Sequence, residues 1–225
     1  IKEKLMNDLI WQTRQKIAEF GRMLYERQLT DAAGGNVSAR AGDVVCITPR
    51  YAGQKSQWHI RPEQVLVVDK DGNKLEGDGD ISREARVHLK LLNEFPDGNS
   101  VIHCHPRNAL VFAMTRQPIP PILESTLKFG TIKITRFAPA HSPLLAEYVA
   151  QEIRGQESAI RKQAAAVIAP WHGLFVLGKD LDAAFDAAER VDVAAYLILM
   201  SRLLPDPPDI QALSKELIET VAQNH

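Results

Sequence analysis

The segment AAAVIAPWHGLFVLG, residues 164–178, sets two apolar runs on either side of the four-residue turn PWHG. Neither run alternates with polar residues, so each reads as a strand buried in a sheet that is covered by helices. A connection this short makes the two strands antiparallel neighbours. Any fold for the chain has to be built around that hairpin.

The remaining segments supply the cover and the other strands. Residues 5 to about 28 place Leu5, Leu9, Ile17, Phe20 and Leu24 at helical spacing, and the pattern stops before Gly34 and Gly35. Strand-like runs follow at DVVCITP and QVLVVDKDG, the second closing on an Asp71-Gly72 turn. Ser82 is a good N-cap for a helix that reaches about Phe95, where PDGNS breaks it. VIHCH is the next strand, and Pro106 fits the first turn of a helix through PRNALVFAMTR. TIKITRFAP reads as a strand, residues 143 to about 154 as a helix, and about Asp180 to Leu203 as a long helix after the hairpin. PDPPD then separates an amphipathic last segment, IQALSKELIETVAQ. Strands interleave with helices, but several strands are joined by short turns, so the sequence predicts a mixed or largely antiparallel sheet covered by helices.

At 225 residues and 45% hydrophobic content, one α/β domain spanning 1–225 is expected. Twenty-seven basic residues against 28 acidic ones, with no basic block, argue against nucleic acid as a partner. The absence of a long apolar run or a signal-peptide core argues against a membrane and for a cytoplasmic protein. Cys46 and Cys104 both sit in apolar runs and read as buried thiols, not as a disulfide framework. Because the chain opens on Ile1, room is left for residues upstream.

His103 and His105 interrupt an apolar strand at i and i+2, so their side chains leave the same face while Cys104 points the other way. That pattern serves two ligands of one ion or a hydrogen-bonded pair equally well, and a third ligand would decide. His172, in the tight turn of the hairpin, is the candidate, with a plain turn histidine as the alternative. Three neutral imidazoles with an open position describe a catalytic divalent site, most often zinc. No H-E-x-x-H helix occurs, and no acidic residue follows His105 at the spacing of a cupin-type site.

Glu84 continues the apolar stripe of Val87, Leu91 and Phe95 toward the helix start, so its carboxylate faces inward. There the helix dipole favours the anion, and Glu84 reads as a fourth ligand or a base, against a first-turn acid that only complements the dipole. His88, one turn on, reads as structural. GGNVS at 34–38 is either a turn or an anion cradle, with Gly35, Asn36 and Ser38 supplying amides and polar atoms.

Taken together, AAGGNVSAR, ITP, SREARVH, VIHCHP and APWHGLFVLGKDLDAAFDAAERVDVAAYL resemble the class II aldolase/adducin family, from the first helix to about Leu203. The resemblance implies a three-layer α/β/α fold with a central mixed, largely antiparallel sheet, and a homotetramer with active sites between subunits. It implies that His103, His105 and His172 hold one divalent ion, zinc first and Mn2+, Co2+ or Fe2+ as alternatives. Glu84 would be the acid/base residue that can also ligate the ion. The substrate would be a small anionic hydroxy-carbonyl compound whose carbon–carbon bond breaks to leave an enediolate.

The sequence departs from the family pattern in three places. The phosphate pocket resembles T-P-T-G followed later by S-S, whereas here stand Thr48-Pro49-Arg50-Tyr51 and Ile81-Ser82. Thr48, Ser82, Gly35 and Asn36 remain as substrate contacts, and Arg50 adds a group that grips carboxylate or phosphate bidentately. After PIPP, where the fuculose-phosphate aldolase branch resembles a tyrosine proton donor, the chain has Glu124. Lower polarity at a subunit interface would keep that carboxyl protonated as an acid. A decarboxylase and a sugar-phosphate dehydratase are rival reactions on the same scaffold. The epimerase branch resembles an Asp at the position of Glu84, and the non-catalytic adducin head lacks the histidines.

Overall fold

The computed structural model of the chain describes residues 2–224; Ile1, on which the chain opens, lies outside them. The hairpin predicted at 164–178 is there: β7 (Ala164–Ala169) pairs antiparallel with β8 (Gly173–Gly178), and all twelve residues are buried. Around it an eight-stranded sheet runs in the order β4-β3-β2-β1-β5-β8-β7-β6. The other strands are β1 (Asn36–Ala41), β2 (Val44–Ile47), β3 (Leu66–Val68), β4 (Lys74–Glu76), β5 (Ser100–Cys104) and β6 (Lys133–Ile134). Every neighbouring pair is antiparallel except β6 with β7.

Residues of the central strands alternate between two cores, which is why their sequences show no polar face. Ala164, Ala166 and Ile168 of β7 join one cluster with α1 (Lys2–Glu26), α4 (Arg107–Thr115) and α7 (Leu181–Ser201). Ala165, Val167 and Ala169 join the other, with α3 (Ala85–Glu94) and α5 (Pro143–Ile153). Helices on both faces of one sheet make the three layers expected. The remaining elements are α2 (Ala52–Ser56), α6 (Glu157–Lys162), the 3-10 turns Pro62–Gln64 and Glu124–Phe129, and α8 (Ile210–Asn224).

Several local expectations are corrected. α1 buries Ile17, Phe20 and Leu24 as the periodicity requires, but Leu5 and Leu9 are exposed, and at this end of the helix Met6 and Ile10 pack against the core instead. TIKITRFAP contributes two strand residues only, Lys133 and Ile134, paired parallel with Val167 and Ile168 of β7. GGNVS is not a turn throughout: Asn36 already pairs with His103. Ser82 is not the N-cap, because α3 starts at Ala85 with Glu84 in the capping position; the Ser82 hydroxyl instead accepts the Glu84 amide at 3.3 Å in the turn before the helix.

Cys46 and Cys104 are both buried and unpaired. Burial pushes the Cys46 thiol up to about 12 and raises Cys104 as well, so neither is a reactive thiolate at neutral pH. Among the described residues no helix is long and apolar enough to cross a membrane.

Candidate active site

His103 sits in mid-sheet, flanked by Asn36 on β1 and Phe175 on β8. Its ring stacks on Phe175 with centroids 4.1 Å apart and an 11° tilt. Nδ1 lies 3.0 Å from the Leu174 carbonyl. A carbonyl can only accept, so the proton is on Nδ1 and the Nε2 lone pair is free. His105, just past the end of β5, brings its Nε2 to 3.3 Å from that of His103, while its Nδ1 lies 3.6 Å from Asp31 Oδ1. With its proton on Nε2, His105 donates to the His103 lone pair; with the proton on Nδ1, toward Asp31, both Nε2 lone pairs are left for a cation. His172, held in the β7–β8 turn, completes the group: one ring nitrogen from each of the three histidines lies within 4.8 Å of the others.

The position of His105 depends on two residues without side chains. A Cβ on Gly34 would stand 2.0 Å from His105 Cε1, and one on Gly173 would stand 2.6 Å from Cδ2. The imidazole therefore passes between two backbone segments with no room to turn.

All three imidazoles are pushed toward the neutral form, mainly by burial. His103 is lowered well below the usual histidine value, with His172 and His105 adding to the effect. His172 falls to about 4 through burial and the neighbouring His105 and His141, and His105 is lowered by burial against an opposing pull from Asp31. Neutral imidazole is the form that can donate to a metal.

Glu84 is 3% exposed, as its helical phase predicted. Burial raises its pKa, the direction opposite to the helix-start expectation, and His141 pulls it back down. Oε1 accepts the His141 amide at 3.0 Å and lies 2.7 Å from His141 Nδ1 and 3.7 Å from His172 Nε2. Oε2 is buried and has no partner.

These groups line one cavity of about 230 Å3, and Gly35, Asn36, Arg50 and Ser82 line it with them. Asn36 Nδ2 donates to Ser82 Oγ at 3.0 Å, leaving Asn36 Oδ1 buried without a partner. The Arg50 guanidinium lies over the Tyr51 ring at 4.5 Å, and its Nε is likewise buried and unpartnered. Two expected residues do not line this cavity. Thr48 is fully buried, and its hydroxyl accepts the Val37 amide at 3.1 Å beside the β1–β2 ladder. Glu124 is exposed at the start of its 3-10 turn and is not part of the cavity wall of this chain. His88 is fully buried, with Nδ1 2.7 Å from Ser38 Oγ.

Sequence reasoning missed His141 and Asp31. Each lies in a loop without periodicity, and the only signal near His141 is the following Ser-Pro, which marks the start of α5: Ser142 caps the Leu145 amide at 3.1 Å.

Residues 15–199 match the family described as Class II Aldolase and Adducin N-terminal domain. The chain belongs to the class II aldolase and adducin family. An L-fuculose phosphate aldolase of Haemophilus influenzae is 32% identical over 212 residues, covering 92% of this chain and 90% of that protein. A 5-methylthioribulose-1-phosphate/5-deoxyribulose-1-phosphate aldolase of Rhodospirillum rubrum is 28% identical over 184 residues, 81% of this chain and 78% of the relative. Among solved structures, an L-fuculose 1-phosphate aldolase superposes with a TM-score of 0.76 at 25% identity, covering 92% and 96% of the two chains. A sugar-phosphate aldolase of Thermotoga maritima shares the fold, with a TM-score of 0.73 at 20% identity over 88% and 97%.

Class II aldolases use a divalent ion, and the donor set of this family member suits one. It offers three neutral imidazoles with converging nitrogens, and Glu84, which lines the same cavity, has an orphaned carboxylate oxygen.

Proposed function

We propose that this chain is a divalent-metal-dependent aldolase that cleaves a carbon–carbon bond in a small phosphorylated or carboxylated hydroxy-carbonyl substrate of the sugar-phosphate type. The carrying observation is the cluster of three histidines in one cavity with Glu84, whose Oε2 is unpartnered, and with Arg50. His103, His105 and His172 would hold the ion, with Glu84 as a possible fourth ligand, and zinc is the first choice over Mn2+, Co2+ or Fe2+ for an all-imidazole set. A bound ion supplies positive charge against the oxyanion that develops as the bond breaks.

The chain's own residues do the rest. In aldol cleavage a base removes the proton of the hydroxyl β to the carbonyl. The carbon–carbon bond then breaks, its electron pair passes to an enediolate, and a proton returns to carbon. Glu84 Oε2 is the base, raised in pKa by burial and so able to hold the proton it takes. Arg50 receives the anionic end of the substrate. Gly35, Asn36 and Ser82 line the space between, where their amide and polar atoms orient the substrate. Glu124 would serve as proton donor from a neighbouring subunit. A homotetramer with shared sites is supported by the family and by the outward apolar residues Tyr196, Leu197 and Met200 of α7. A cytoplasmic setting is supported by the two unpaired thiols.

A decarboxylase is the second reading, favoured by the planar guanidinium of Arg50, which fits a carboxylate as well as a phosphate. One experiment separates the two. Purified protein is assayed with L-fuculose 1-phosphate, 5-deoxyribulose 1-phosphate and 3-oxo acid phosphates, with and without chelator, for dihydroxyacetone phosphate, aldehyde and CO2. Chelator-sensitive release of dihydroxyacetone phosphate with an aldehyde is expected. CO2 from the oxo acids alone would replace the aldolase reading, and turnover that survives metal removal would end both.

A further inference from the structure

The residue packed most closely against Glu84 lies in a strained loop. His141 has φ 67, in the left-handed region that a residue with a Cβ enters at a cost of roughly 1–2 kcal/mol. Such strain persists only where the surroundings hold it, and here they do. The Ser142 amide donates back to the Pro139 carbonyl at 3.2 Å, and Ser142 with Pro143 opens α5, so the chain must turn sharply at 141. The turn swings the His141 amide onto Glu84 Oε1 at 3.0 Å and sets the ring Nδ1 2.7 Å from the same oxygen. The amide and the ring nitrogen of His141 both approach one carboxylate oxygen, the ring as a close contact without the alignment of a hydrogen bond, and the other oxygen is buried and unpartnered.

We propose that His141 is a positioning residue for Glu84: its amide and ring occupy Oε1, fix the carboxylate plane, and leave Oε2 as the oxygen that meets substrate. The proposal rests on the aldolase reading for what Oε2 does, but the placement of the carboxylate can be tested without any turnover. A plain hydrophobic or small residue at 141 could supply the amide and not the ring, so the ring is what the proposal adds. His141 acts through Glu84 and need not touch substrate.

The test compares His141→Gly with His141→Asn in the full chain loaded with Co2+. Glycine enters the left-handed turn freely and keeps the amide, so the variant folds and loses only the ring. Asparagine also tolerates that turn and restores a short polar donor close to the position of Nδ1. With the three histidines untouched, both variants should bind one Co2+ per chain. His141→Gly should shift the visible Co2+ absorption bands, because a released Glu84 changes the surroundings of the ion, and His141→Asn should return them toward the wild-type spectrum. On a substrate the wild type cleaves, His141→Gly should lower kcat on the order of 10- to 100-fold with little change in KM, the scale of losing a group that orients a ligand or base. His141→Asn should recover most of that loss. An unchanged spectrum in His141→Gly, or equal spectra and rates for Gly and Asn, would overturn the proposal. If the wild type cleaves no ketose phosphate, the aldolase reading fails, and the spectra still decide whether His141 holds Glu84.

Discussion

The two walls of the cavity are built differently. One is sheet: His103 is pinned between strands, stacked on Phe175 and tied to the Leu174 carbonyl, and His172 rides the tightest turn of the central hairpin. The other is loop: Gly35, Tyr51 and His141 all have positive φ, and Arg50 and Ser82 stand on connections between elements. A sheet wall tolerates little variation because each residue is also core, whereas a loop wall can change without disturbing the fold. On the proposed function, the ion-binding chemistry would belong to the scaffold and substrate choice to the loops. That division matches the places where the chain keeps and departs from the family pattern.

The sharpest way to break this division is at the sheet wall. His103→Ala removes one of three ligands and leaves a gap in the core, so bound metal measured by elemental analysis should fall to background and kcat/KM should drop by about a thousandfold or more, the scale of several kcal/mol of charge stabilisation. Retention of a full equivalent of metal would take His103 out of the ion site. Glu84 stands at the seam of the two walls. Glu84→Gln keeps the shape and the amide contact at Oε1 but removes the base, and kcat should fall by roughly 10²- to 10⁴-fold. A variant with near wild-type turnover would show that the base is elsewhere.

On the loop wall the effect should be smaller and of a different kind. Arg50→Ala removes one grip on the substrate anion, worth about 1.5–3 kcal/mol for a charged hydrogen bond, so KM should rise on the order of 10- to 100-fold with a lesser effect on kcat. Metal content should not move. If kcat fell as much as kcat/KM, Arg50 would be stabilising the transition state and the division of labour between the walls would be wrong.

How much of this could be read from the sequence follows the same line. The hairpin, the i and i+2 histidines, the turn histidine and the inward phase of Glu84 were legible because strand and helix periods dictate where those side chains point. The class and layering of the fold were legible for the same reason, since β7 and β8 carry apolar residues on both faces. What could not be read depends on loop geometry. Nothing in APAHSP says that residue 141 turns left-handed onto a carboxylate 57 positions earlier, or that Gly34 makes room for His105. Thr48 was hard to read for a related reason: a threonine after a strand can face a pocket or finish a ladder, and here its hydroxyl accepts the Val37 amide. Glu124 can be placed in a site only by a second chain.

The smallest expected effect comes from the start of α3, where Glu84 and His88 lie one turn apart but only Glu84 lines the cavity. His88 points into the sheet, wholly buried, with Nδ1 on Ser38 Oγ and Nε2 without a partner. Burial drives its pKa down to about 3, while in the unfolded chain it returns to about 6.5. Between these values the unfolded state binds a proton that the folded state refuses, so folding stability falls as pH drops from about 6.5 toward 3 and is unaffected by this group above about 6.5. One proton gives a slope of at most about 1.4 kcal/mol per pH unit, or roughly 3–6 °C in Tm per pH unit for a chain of this size. His88→Asn keeps a partner for Ser38 and removes the titration. Its Tm at pH 7 should be lower, because the smaller side chain leaves space in the core, but its Tm should fall less between pH 6.5 and pH 4.5 than that of the wild type. The comparison is made on metal-free protein, so that loss of an ion from the neighbouring histidines does not enter the slope. Parallel Tm–pH curves for the two proteins would mean that His88 is not the group that makes the sheet wall acid-sensitive.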